Sequence, residues 1–62
     1  MKIHSLPKRV RAYILVHDLR DQGVWYYGSY ATLKELSAAA NELYAMGDSG
    51  LGWCYASEAV AA

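Results

Sequence analysis

The chain has 62 residues, a formal net charge of zero and an apolar content of 55%. That composition excludes a disordered chain, and that length allows one domain, burying about 60% of its unfolded surface around a core worth roughly 3–5 kcal/mol. One cysteine, Cys54, and two histidines exclude an intrachain disulfide and a four-ligand zinc site, two usual supports of so small a fold.

Residues 1–8, MKIHSLPK, read as a flexible arm. Pro7 blocks helix there, and the arm has positive charge but no apolar segment of the signal-peptide kind. Residues 10–17, VRAYILVH, form the strongest strand, rich in β-branched and aromatic residues. One face is Val10, Ala12, Ile14 and Val16, wholly apolar and expected to meet a helix. The other is Arg11, Tyr13, Leu15 and His17. A strand apolar on both faces belongs in the middle of a sheet. The polar run DLRDQG, 18–23, is a hairpin loop. Residues 24–30, VWYYGSY, form the second strand, with Gly28 marking a bulge or a close backbone approach.

Residues 32–46 read as an amphipathic helix. Thr32 and Glu35 have capping-box spacing, and Gly47 suits a left-handed residue after the last turn. Leu33, Leu36, Ala40, Leu43 and Tyr44 make its apolar stripe, with Ala39 and Met46 at the edge. A loop, DSGLG, precedes a third strand at 53–57, WCYAS, and residues 58–62 are expected to fray. The fold class is α+β: a single domain, ββαβ, whose three-stranded antiparallel sheet has order 3-1-2 and one helix on one face.

Such a sheet has a second face that nothing in this reading covers. Seven of the six tyrosines and two tryptophans lie in the three strands. Alternation groups Tyr13, Leu15 and His17 with Trp25 and Tyr27 on the expected open face, with Trp53 and Tyr55 as further candidates. These residues, with Arg11 and with Arg20 at the hairpin tip, are the candidate partner-binding set, because aromatics and arginine are enriched at interface hot spots. The opposing view is that tyrosine and tryptophan here are amphipathic cover with their polar tips in water.

No catalytic constellation is legible. Gly47-Asp48-Ser49-Gly50 matches the surroundings of a protease nucleophile. That chemistry needs a distant His and Asp on a far larger scaffold, so the segment reads as a helix stop and turn. His4, His17 and Cys54 have no spacing that asks for a thiol–imidazole pair, and Gly47, Gly50 and Gly52 lack the Lys-Ser/Thr of a phosphate loop. The expectation is a protein that is not an enzyme and that takes no metal and no cofactor.

Charge is unevenly spread. Residues 1–20 hold Lys2, Lys8, Arg9, Arg11 and Arg20 against Asp18; the remainder holds Lys34 against Asp21, Glu35, Glu42, Asp48 and Glu58. This is either a solvated dipolar surface or a basic contact patch. Three function classes follow. The first is a protein-binding module that docks on a larger protein or ribonucleoprotein. The second binds single-stranded nucleic acid through the aromatic face and the basic arm; zero net charge and the lack of Lys or Arg between the aromatics weigh against it. The third is a homodimer formed through the open face. The longest apolar run, residues 12–16, is too short to cross a membrane, and a lone cysteine suits a reducing, cytoplasmic setting.

The passage VWYYGSYATLKELSAAANEL, about half the chain, resembles small proteins of phages and mobile elements of the anti-CRISPR type. That resemblance carries no diagnostic motif and transfers no functional residue. It implies a phage-type inhibitor that blocks a host macromolecular complex, such as a CRISPR effector, by occlusion.

Overall fold

The structure is a computed structural model describing residues 1–62. Its elements are β1 (Lys2–Ile3), β2 (Tyr13–Asp18), β3 (Val24–Tyr30), α1 (Leu33–Ala45), β4 (Leu51–Tyr55) and β5 (Val60–Ala61), with short 3-10 turns at Arg20–Gln22 and Ala56–Glu58. The fold is α+β, with one helix and a three-stranded antiparallel sheet. Two strands were not expected, so the arrangement is richer than ββαβ. The order written for three strands, 3-1-2, becomes β3-β2-β4 once the extra N-terminal strand is counted. No helix is long and apolar enough to cross a membrane.

β2 is the centre. Ile14, Leu15 and Val16 are all buried, so both of its faces need cover. The helix covers one face. Leu15 packs with Leu36 and Leu43, edged by Tyr13, Tyr30, Ala39, Ala40 and Leu51. Ile3, from the expected flexible arm, covers the other. It is 0% exposed and packs with Ile14, Val16 and Cys54, edged by Leu6, Val10, Val24, Tyr26, Ala56 and Ala59.

This corrects two expectations. The arm is not loose: β1 pairs in parallel with β5, Lys2 opposite Val60 and Ile3 opposite Ala61. It also touches the sheet edge, where His4 N–H donates to Val24 C=O at 2.8 Å and Tyr26 N–H donates to His4 C=O at 3.0 Å. The C-terminus, expected to fray, is held as β5 by the same pairing. The second correction concerns the helix, which lies on the Tyr13 and Leu15 face rather than on the Ile14 and Val16 face. Both faces of β2 are apolar, so alternation cannot choose between them. β3 and β4 each run antiparallel to β2 and so parallel to each other, and the hand of the β3-α1-β4 crossover makes the choice.

Local chemistry accounts for the element ends. Thr32 Oγ1 accepts the Glu35 N–H at 3.2 Å, and the Glu35 carboxylate reaches back to the Ala31 N–H. At the other end Gly47 has φ +92°, its N–H donates to Tyr44 C=O, and Asp48 N–H donates to Leu43 C=O, the paired bonds of a Schellman stop. The inward stripe is Leu36 and Leu43, both buried, with Ala39 and Ala40 half-buried; Leu33 and Tyr44, expected in it, are exposed. The β2–β3 ladder slips between Leu15 and Val16, leaving Tyr27 as an extra residue beside Gly28. The expected bulge is present; a Cβ at Gly28 would stand 2.9 Å from the Tyr30 hydroxyl oxygen, so the close approach there is by a side chain rather than by another backbone. β2 starts at Tyr13 rather than residue 10, since the Arg11 N–H is taken by Ser29 Oγ at 3.0 Å. β4 runs 51–55 rather than 53–57, because the chain turns at Ala56–Glu58 to bring β5 to β1.

If the arm closes the second core, Ile3→Ala costs about 2–4 kcal/mol in urea unfolding. A loose arm would give a change within about 0.5 kcal/mol.

Candidate functional site

The register puts Tyr13, Leu15 and His17 of β2 opposite Tyr55, Trp53 and Leu51 of β4, and His17 opposite Trp25 of β3. The grouping of candidates on one face therefore holds, but this is the helix-bearing face and not an open one. Leu15 is 1% exposed beneath Leu36 and Leu43, so it is closed to any partner. Tyr13 is half-buried at the margin of the helix. The centre of the face on which bases would stack is covered. Arg11 and Arg20 are both exposed, but they lie beyond opposite ends of β2 and so cannot serve one small contact.

The remaining candidates fall together at the β2–β3 hairpin end. The Tyr27 ring meets the His17 ring edge-on at 5.3 Å. The Trp25 ring stacks on His4 at 4.7 Å, and its Nε1 donates to Gln22 C=O at 2.8 Å. That bond ties the tryptophan to the turn it flanks. The turn is held further by Leu19 N–H to Gly23 C=O and by Arg20 N–H to Asp18 Oδ1. Arg20 has φ +54°, a left-handed conformation that a non-glycine residue adopts at a cost of order 1 kcal/mol. Leu19 (45%), Trp25 (38%) and Tyr27 (45%) remain exposed around it. Leu19 was missed from the sequence; its signal was one large apolar residue inside an otherwise polar loop.

A second aromatic group lies on the same face along β4. Tyr13, Trp53 and Tyr55 stand in mutual contact with ring centroids 5.2–6.1 Å apart, and Trp53 and Tyr55 are exposed. Beside them a hollow of about 250 Å³ is lined by Met1, Trp53, Cys54, Tyr55 and Glu58. His4, His17 and Cys54 do not come together. His4 is stacked on Trp25, His17 lies against Tyr27, and Cys54 sits in the core beneath Ile14 and Ile3. No group of three or more His, Cys, Asp or Glu side chains is placed to hold a metal ion. No known protein family, curated protein or solved structure matches the chain.

Burial pushes the Cys54 thiol above its ordinary pKa, with Glu58 adding to the shift and the N-terminal ammonium opposing it. The thiol is therefore protonated and unreactive at neutral pH. A pKa raised in the folded state means that the folded protein keeps the proton longer than the unfolded chain. The associated stability is fully present below the ordinary thiol pKa of about 8.5 and is lost as the pH rises through the raised value. Urea midpoints are therefore expected to fall above about pH 8.5. Cys54→Ala should flatten that limb, leaving only the part above about pH 10 where Tyr30, also raised chiefly by burial, titrates. An unchanged limb in the variant would show that Cys54 is not its source.

Proposed function

We propose that the chain is a non-catalytic binding module that docks on a larger protein or ribonucleoprotein through its β2–β3 hairpin end and acts by covering the partner's working surface. The observation that carries this reading is the turn itself. Leu19, Arg20, Trp25 and Tyr27 are residue types that favour or tolerate an interface, and they are displayed on a turn fastened by five hydrogen bonds, counting the Gly23 N–H to Arg20 C=O and the Gln22 N–H to Leu19 C=O. A partner would spend little ordering entropy on such a surface. Arg20 is kept in a strained conformation where asparagine or glycine would sit more easily, and strain of this kind is concentrated at functional positions. Occlusion suits a domain with no enclosed site. A host complex of the CRISPR-effector kind, implied by the resemblance to phage-borne inhibitors, is one such target.

The test is affinity capture from nuclease-treated lysate with the wild-type chain and two variants, Arg20→Asn and Tyr27→Ala. Arg20→Asn relieves the backbone strain, so its thermal midpoint should be unchanged or higher. Its capture of a specific partner should fall by roughly tenfold or more, and Tyr27→Ala should act in the same direction. Undiminished capture by both variants would overturn the hairpin as the docking surface. Capture that disappears on nuclease treatment would favour the single-stranded nucleic-acid reading instead.

A further inference from the structure

β4 is an edge strand whose outer side has no partner in the chain. Asp18 N–H donates to Gly50 C=O, and Ala56 N–H donates to Ala12 C=O. In an antiparallel ladder the inward-bonded residues recur every second position, so Gly52 and Cys54 also face β2. The amides and carbonyls of Leu51, Trp53 and Tyr55 therefore point away from the sheet. None of them takes part in the hydrogen bonds formed outside the ladders. Natural edges are usually protected by lysine, proline, a bulge or a covering segment. Residues 51–57, LGWCYAS, contain no charge and no proline, the β2–β4 register has no slip, and Trp53 and Tyr55 are exposed beside it.

We infer that β4 pairs antiparallel with β4 of a second copy of this chain, about a two-fold axis at Trp53, making one continuous sheet in the order β3-β2-β4-β4-β2-β3. The edge is complementary to itself in three respects. First, a two-fold axis at Trp53 sets Leu51 opposite Tyr55 of the copy and Trp53 opposite its counterpart. All three outward-pointing residues then meet outward-pointing residues, which is what hydrogen-bonded antiparallel pairs require. Second, the hollow lined by Met1, Cys54, Tyr55 and Glu58 lies where the copy's strand would enter. In this register the copy presents Gly52 opposite Cys54 and Gly50 opposite Ala56, two positions without side chains, so a strand of this sequence fits where bulkier ones would meet Met1. Third, the aromatic groups of the two copies, Tyr13, Trp53 and Tyr55 in each, join into one apolar surface, and zero formal net charge means that no net charge opposes the approach of the copies. None of these residues belongs to the hairpin end, so the two surfaces stand or fall separately.

The test combines mass with amide exchange. Sedimentation of the wild-type chain from about 10 μM to about 1 mM should show a shift from monomer to dimer. Across the same range the amides of Leu51, Trp53 and Tyr55 should exchange at least roughly tenfold more slowly at the top, a larger slowing than at Gly52 and Cys54, which already bond to β2. Tyr55 has φ −72°, which proline matches. Tyr55→Pro therefore removes one outward N–H with little backbone strain and should abolish the dimer. Tyr55→Val, which deletes the ring but keeps the N–H, should retain it. A monomer at every concentration overturns the inference. So does a dimer in which the three amides exchange freely, and so does one that Tyr55→Pro leaves intact in a chain with a native circular dichroism spectrum. Binding of an unrelated extended peptide to the edge of a strictly monomeric chain would likewise overturn the second copy as occupant.

Discussion

Everything in this domain depends on the two-sided burial of β2. Ile14 and Val16 point one way, Leu15 the other, and none is more than 1% exposed. One short helix cannot shield both sides of a strand. The chain resolves this by using its two ends. Ile3 is laid across the Ile14 and Val16 face, and the strand that holds it is secured on one side by β5 and on the other by the His4 bridge to β3. With seven buried residues in all, the domain has two small cores rather than one, separated by a single layer of sheet. Each is too small to stand without the other, since a core of three or four side chains supplies only a few kcal/mol at the usual rate of about 25 cal/mol per Å².

What could be read from the sequence follows from what leaves a period. β3 is found at residues 24–30 as expected, because seven consecutive strand-forming residues are bounded by Gly23 and by the Thr32 cap. The helix ends are legible because capping has residue-specific chemistry: a hydroxyl at Thr32, a carboxylate three positions on, a glycine at 47. The central place of β2 follows from its apolar character on both faces. β1 and β5 are illegible for the converse reason. A two-residue strand has no alternation, and Ile3 beside Lys2 and His4 looks like any isolated apolar residue in a terminus. The helix stripe was blurred at its ends because Leu33 and Tyr44 have the right spacing but fall beyond the reach of the sheet, whereas Ala39 is small enough to lie against it.

The candidate site was legible in kind but not in location. Grouping Tyr13, His17, Trp25 and Tyr27 on one face needed only the strand period; the register pairs His17 with Trp25, and the bulged Tyr27 joins them through its ring contact with His17. Taking that face as free required knowing which side the helix took, and that is a property of chain handedness rather than of residue type. The helix crosses the middle of the face and leaves aromatic groups at two margins, the hairpin end and β4. They differ in character. The hairpin group is fastened into a turn by hydrogen bonds to its own backbone; the β4 group stands beside unpaired backbone.

The parallel pairing of β1 with β5 also sets the order in which the chain can reach its native state. Lys2 meets Val60, so the closing contact joins residues at opposite ends of the chain, and contacts of that separation slow folding. A ribosome releases β1 early, yet β1 has no β5 to pair with until Val60 and Ala61 have emerged. During that interval the helix-bearing half can assemble while β1 is held over the Ile14 and Val16 face only by its His4 bridge to β3. A chain lacking Val60 and Ala61 would lose the pairing that holds β1 on one side over the Ile14 and Val16 face, leaving apolar surface open to misassembly.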